Sequence, residues 1–169
     1  MDVQLEHQIQ MLGELLLRHG LMLATAESCT GGGVAQVLTS VSGSSHWFER
    51  GFVTYSNQSK KEMLGLPDAV LQEYGAVSEQ TVRAMAEGAL HHSHAQVSLA
   101  VSGIAGPGGG TLDKPVGTVW LGWAGLGLPT LSRCEHFRGD REQVRYQAMI
   151  ASLQGVLDML ADWSVDGCH

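Results

Sequence analysis

Three glycines follow a serine in residues 25–33 (TAESCTGGG), a combination suited to nucleophilic acyl transfer. The apolar residues 21–24 (LMLA) read as a buried strand and residues 34–38 (VAQVL) as the first turns of a helix, so Ser28 sits where a strand gives way to a helix. Gly31, Gly32 and Gly33 carry no Cβ and let a substrate approach the backbone. The first amides of a helix have no intrahelical partner, and such amides bind a phosphate or steady an oxyanion. A nucleophile and an anion site thus come side by side.

A serine nucleophile needs a base. Histidine is the usual one, but the eight histidines fit poorly. His91, His92 and His94 close an expected helix, His7 and His19 lie on the first helix, His169 is terminal, and His46 and His136 stand in no motif. Of the three lysines, Lys60 falls just past a second strand end, after Tyr55 and Asn57. A lysine buried against apolar surface can lose its charge and act as a base, and a serine–lysine pair is a variant of the triad logic. The competing reading makes Ser28 a helix cap and Lys60 and Lys61 solvated charges. Cys29 is a rival nucleophile, because a helix N-terminus lowers a thiol pKa. Strand alternation turns only one of Ser28 and Cys29 toward a pocket, and a buried cysteine otherwise behaves as a small hydrophobe. Glu27 either orients a ligand hydroxyl or amide, or answers the positive end of the helix.

A second glycine-rich turn, residues 102–110 (SGIAGPGGG), also follows an expected strand. It lacks the GxxxxGK[ST] spacing of a phosphate loop, so Gly103 and Gly106 are candidates only for close backbone approach. Arg138, Arg141 and Arg145 flank the start of the last helix, where they either fork onto a phosphate or solubilise the surface. No carboxylate or cysteine accompanies His91 and His94, so no metal site is expected there. The four tryptophans suggest core or interface.

These groups need a frame. Leu5, Ile9, Leu12 and Leu16 recur at helical spacing and predict a helix over the first twenty residues, ending at Gly20. A strand at about 21–26, a helix at about 31–41 and a strand at 48–55 follow, then a helix over 58–64 capped at Ser56-Asn57 and stopped by Gly65 and Pro67. Ser78 caps a helix running to about residue 94. Strands are expected at 96–101, 117–123 and 131–137, the last two a hairpin across Gly125-Leu126-Gly127. Asp140, with Gln143 in the reciprocal capping position, starts a long helix with Met149, Leu153, Val156, Leu157 and Leu160 on its apolar stripe. Residues 164–169 are expected to fray. The pattern predicts a single α/β layered domain with a mixed sheet flanked by helices. In such sheets ligands bind beyond the carboxyl ends of strands, which places the Ser28 turn, the segment from Tyr55 to Lys60 and the Ser102 turn on one rim.

The 169 residues suffice for one domain with a sizeable core. The net charge of −7 argues against a nucleic-acid binder. Cys29, Cys134 and Cys168 are odd in number and unpaired by spacing, which argues against a disulfide scaffold and for a reducing cytoplasm. The acidic start is unlike a signal peptide, and no apolar run is long enough for a bilayer, so no membrane partner is expected.

Taken together, residues 25–33 (TAESCTGGG), 43–57 (GSSHWFERGFVTYSN), Lys60, 74–79 (YGAVSE), 102–109 (SGIAGPGG), 114–120 (KPVGTVW) and 137–145 (FRGDREQVR) resemble the CinA C-terminal-domain family. The resemblance spans about residues 5–160 and implies hydrolysis of the carboxamide of nicotinamide mononucleotide to nicotinate mononucleotide and ammonia, a step that returns a by-product of NAD consumption to NAD synthesis. It also implies a homodimer and no cofactor. The family's nucleophile would be Ser28, its lysine Lys60 and its active-site tyrosine Tyr55. The oxyanion would meet amides near Thr30, Gly31 and Gly32, beside Glu27. The phosphate would meet the turn holding Ser102, Gly103, Ala105 and Gly106, and Arg141 or Arg145. The molybdopterin-binding-like domain that precedes this region in two-domain relatives is not expected. A non-catalytic nucleotide-binding module, or an amidohydrolase for another small amide, are the alternatives.

Overall fold

In the computed structural model, which describes residues 1–166 and side chains through residue 163, five strands form one sheet in the order β2-β1-β3-β4-β5. Helix α1 (Val3–His19) starts at Asp2, whose carboxylate accepts the Leu5 amide at 2.7 Å, and ends at Gly20 in the left-handed region. Strands β1 (Leu23–Glu27), β2 (Phe48–Val53) and β3 (Val97–Gly103) run parallel, with β1 between the other two. Strands β4 (Thr118–Gly125) and β5 (Leu131–His136) are antiparallel additions beside β3. The sheet is therefore mixed, as expected from three consecutive strands without an intervening helix.

Strand alternation divides the core. Leu23, Val97, Leu99, Val101, Val119 and Leu121 face α1 and the long helix α6 (Arg141–Asp166). Ala24, Ala26, Ala100 and Ala124 face α5 (Glu79–His91), with α3 (Asn57–Leu64) and α4 (Asp68–Tyr74) beside it. The second face is built of small residues, which lets α5 lie close to the strands. At Gly122 an added Cβ would stand 2.9 Å from the Val82 carbonyl oxygen. Gly88 likewise lets the backbone of α5 touch that of Leu64, which fixes α3 and so the base of Lys60.

The expected caps form. Ser78 accepts the Thr81 amide at 3.2 Å, and Asp140 and Gln143 exchange bonds of 2.8 and 2.9 Å. Several elements differ from the expected ones. Helix α2 (Gly33–Thr39) starts later than residue 31 because Gly31 and Gly32 adopt φ of 59° and 96°, which removes them from the helix. Strand β2 stops at Val53 instead of Tyr55: the Thr54 amide still reaches the Glu27 carbonyl, and Ser56 then caps α3. Helix α5 ends at His91 instead of residue 94. Helix α4 is an addition to the expected elements: Pro67, expected to stop α3, stands at the N-cap of the next helix. The tail expected to fray begins inside α6, which continues to Asp166; its last three residues lie outside the described residues.

Candidate active site

The three parallel strands deliver three segments to one rim. Ser28 follows β1 directly, and its amide bonds to the Val101 carbonyl at 2.9 Å, which ties it to the end of β3. Thr54 and Tyr55 follow β2, and Ser102 and Gly103 close β3. Lys60 lies in the first turn of α3 and is 1% exposed, with its chain directed under the rim. Its Nζ is 3.0 Å from Ser28 Oγ and donates to the Thr54 carbonyl at 2.7 Å.

No carboxylate bonds to Lys60 among the described residues. Burial pushes its pKa down from 10.5 to about 8. A neutral amine has one lone pair. With one N–H held by the Thr54 carbonyl, that lone pair is available to the Ser28 hydroxyl, the relation required of a general base and its nucleophile. Cys29 is also buried, and burial raises its thiol pKa to about 11, so it stays protonated at neutral pH. The thiol is thus a poor rival to Ser28.

Ser28, Cys29, Lys60, Tyr55 and Arg141 line a cavity of about 190 Å³, with Ala76, Val77, Ser102, Gly103 and Ala105 completing its wall. Ser102 Oγ donates to the Ala76 carbonyl at 2.7 Å, joining β3 to the loop before α5. A larger cavity of about 740 Å³ lies between α1 and α6, lined by residues such as Met11, Leu15 and Ile150. It holds neither Ser28 nor Lys60, so chemistry and not size locates the site.

Other residues expected at the substrate lie behind the cavity wall. The Glu27 carboxylate is fully buried and accepts the Thr30 hydroxyl at 2.6 Å and the Val34 and Ala35 amides at 2.9 and 3.1 Å. It is therefore the N-terminal cap of α2, which corrects its expected place beside the ligand. The Gly31 amide bonds to the Ser28 carbonyl at 3.0 Å, and Gly32 does not line the cavity. Among the described residues the backbone amides of Cys29, Thr30 and Gly32 bond to no other residue; Cys29 lines the cavity and Thr30 follows it directly. Gly103, by contrast, lines the cavity and is also required by the sheet, since a Cβ there would press on Val119 at 2.7 Å.

The two arginines separate. Arg141 donates to the Gly106 carbonyl at 2.9 Å and to Tyr55 Oη at 3.1 Å, at the cavity rim. Arg145 donates to the carbonyls of Cys29 at 3.1 Å and Thr30 at 3.2 Å, outside the cavity lining. The Thr54 carbonyl and the Ala76–Val77 wall were not foreseen from residue types; the nearest signal was the YGAVSE stretch. Among the described residues no three His, Cys, Asp or Glu side chains converge as metal ligands, and no helix is long and apolar enough to cross a membrane.

The CinA C-terminal domain family model matches residues 5–160. The chain is 53% identical over 146 residues to the nicotinamide-nucleotide amidohydrolase PncC of Enterobacter agglomerans, covering 86% of this chain and 89% of that one. It is 49% identical over 153 residues to the protein of the same name in Escherichia coli K12, covering 90% and 93%. Among solved structures, the competence/damage inducible protein CihA of Agrobacterium tumefaciens superposes with a TM-score of 0.89 at 40% identity, covering 95% and 98%. Sheet order, helix layers and sequence agree along nearly the whole chain, and the chain belongs to the CinA C-terminal domain family.

Proposed function

We propose that this protein hydrolyses the carboxamide of nicotinamide mononucleotide to nicotinate mononucleotide and ammonia through Ser28 and Lys60. The names of its relatives support the substrate, and the 3.0 Å contact between a buried lysine and the serine carries the mechanism. Ser28 Oγ attacks the carboxamide carbon while its proton passes to neutral Lys60 Nζ. The tetrahedral oxyanion takes the amides of Cys29 and Thr30, each such donor lowering the barrier by about 3–4 kcal/mol. Lys60 then gives the proton to the departing nitrogen, ammonia leaves, and Ser28 carries the nicotinoyl ester. Water attacks the ester with Lys60 as base, and collapse frees nicotinate mononucleotide and the serine hydroxyl.

The cavity of about 190 Å³ suits the pyridine carboxamide end of the substrate. The ribose and phosphate then lie outward, over Tyr55, Arg141 and the turn at Gly106. On this reading Arg141 is the phosphate arginine, since it stands at the cavity rim. The reaction needs no metal or redox cofactor, belongs to NAD recycling in a reducing cytoplasm, and is carried out by a homodimer, which sedimentation would measure. Ammonia release from the mononucleotide, the riboside and free nicotinamide, with chelator present, tests the substrate. Preference for the mononucleotide supports the proposal. Equal or better turnover of nicotinamide makes the chain an amidohydrolase for another small amide. Binding without release makes it a nucleotide-binding module.

A further inference from the structure

We infer that Arg145 is a positioning residue that aims the oxyanion amides through the backbone of the nucleophile turn, and is not a substrate ligand. The inference rests on the reading of Ser28 as nucleophile. Arg141 and Arg145 stand four residues apart, on one face of α6. Arg141 ties down Gly106 and Tyr55, whereas Arg145 directs Nε to the Cys29 carbonyl and Nη2 to the Thr30 carbonyl. One edge of the guanidinium fork is thus filled by two successive carbonyls and is not presented to the cavity.

The consequence follows from the planar trans peptide, in which N–H and C=O point in opposite directions. Drawing the Cys29 carbonyl to Arg145 turns the Thr30 N–H away from the arginine. The same arginine holds the Thr30 carbonyl, which also accepts the Gly33 amide at 2.9 Å, while the Gly31 amide closes back on Ser28. Arg145 packs directly over Gly31, 3.4 Å from where a Cβ would stand. Gly31 and Gly32 are left-handed and set no side chain against this turn, so it gains rigidity from the guanidinium on its outer side. Misplacement of a reacting group by about 1 Å costs about a hundredfold in rate.

The test compares wild type with Arg145→Met and Arg145→Lys by two readouts. One is the rate at which a fluorophosphonate probe labels Ser28, which needs the oxyanion amides and no particular substrate. The other is the affinity for nicotinamide mononucleotide in a Ser28→Ala background. The expected result for Arg145→Met is labelling and kcat both reduced about a hundredfold with unchanged affinity. Arg145→Lys, which keeps the charge but loses the fork, should fall between, and it carries the test alone if Arg145→Met does not fold. Unchanged labelling with weakened mononucleotide binding would make Arg145 a phosphate ligand and overturn the inference, as would unchanged values of both or a Ser28 that wild type fails to label. Labelling that depends on Arg145 in a protein that releases no ammonia from the mononucleotide would uphold the inference and defeat the proposed substrate.

Discussion

If neutral Lys60 takes the Ser28 proton, the rate of acylation must follow the fraction of Lys60 that is neutral. Burial at 1% exposure, with no carboxylate partner among the described residues, brings its pKa from 10.5 to about 8. A base with that pKa is about one-tenth neutral at pH 7, half neutral at pH 8 and about nine-tenths neutral at pH 9. We therefore expect kcat/KM, which reports the free enzyme, to rise about tenfold between pH 7 and a plateau above pH 9. Initial rates of ammonia release in buffers of constant ionic strength measure it. Lys60→Arg keeps the charge but has no accessible neutral form, and its activity should fall by at least about a thousandfold at every pH in this range. A profile flat from pH 6.5 to 9, or a midpoint near 10.5, would refute the assignment of Lys60 as base.

Three further outcomes follow from the same contacts. The folded pKa of Lys60 lies below its unfolded value, so the unfolded chain binds more protons between pH 8 and 10.5, and stability from this group rises across that window. Comparing urea unfolding of wild type and Lys60→Met at pH 7 and pH 10.5, the difference should move by about 3 kcal/mol in favour of wild type at the higher pH; no movement would mean that Lys60 is not desolvated. Glu27→Gln keeps the shape but loses the charge that answers the Val34 and Ala35 amides, and should lower stability by about 1–2 kcal/mol in thermal unfolding. Cys29→Ala should retain turnover within about threefold, and the wild-type thiol should resist iodoacetamide at pH 7, because a thiol with a pKa of about 11 holds almost no thiolate; loss of turnover would return Cys29 to consideration as nucleophile.

The frame of the site was legible because it depends on local signals. A strand that ends at a serine before a glycine run, and a Ser-Asn cap after the next strand, place Ser28 and Lys60 on the same rim once the sheet is parallel there. What could not be read was direction. Lys60 and Lys61 are adjacent in sequence, yet one is buried against Ser28 and the other bonds to Asp68 at 3.0 Å, an outcome decided by how α3 packs on α5 at Gly88. Arg141 and Arg145 share a helix face, and their roles diverge because one lies over the Gly106 turn and the other over Gly31. Residue type alone lets Glu27 serve as ligand or cap, and full burial under three donors makes it a cap. Such facts belong to packing between distant segments, which spacing along one chain does not encode.

The proposed reaction requires Ser28 and Lys60 to act together on a carboxamide. Ammonia release from nicotinamide mononucleotide by wild type, Ser28→Ala and Lys60→Ala, each shown to be folded by circular dichroism, tests it most directly. Release by wild type is expected, with loss by at least about a thousandfold in each variant and both together no worse than either alone, as groups that act as a unit behave. Release by Ser28→Ala within tenfold of wild type would contradict it.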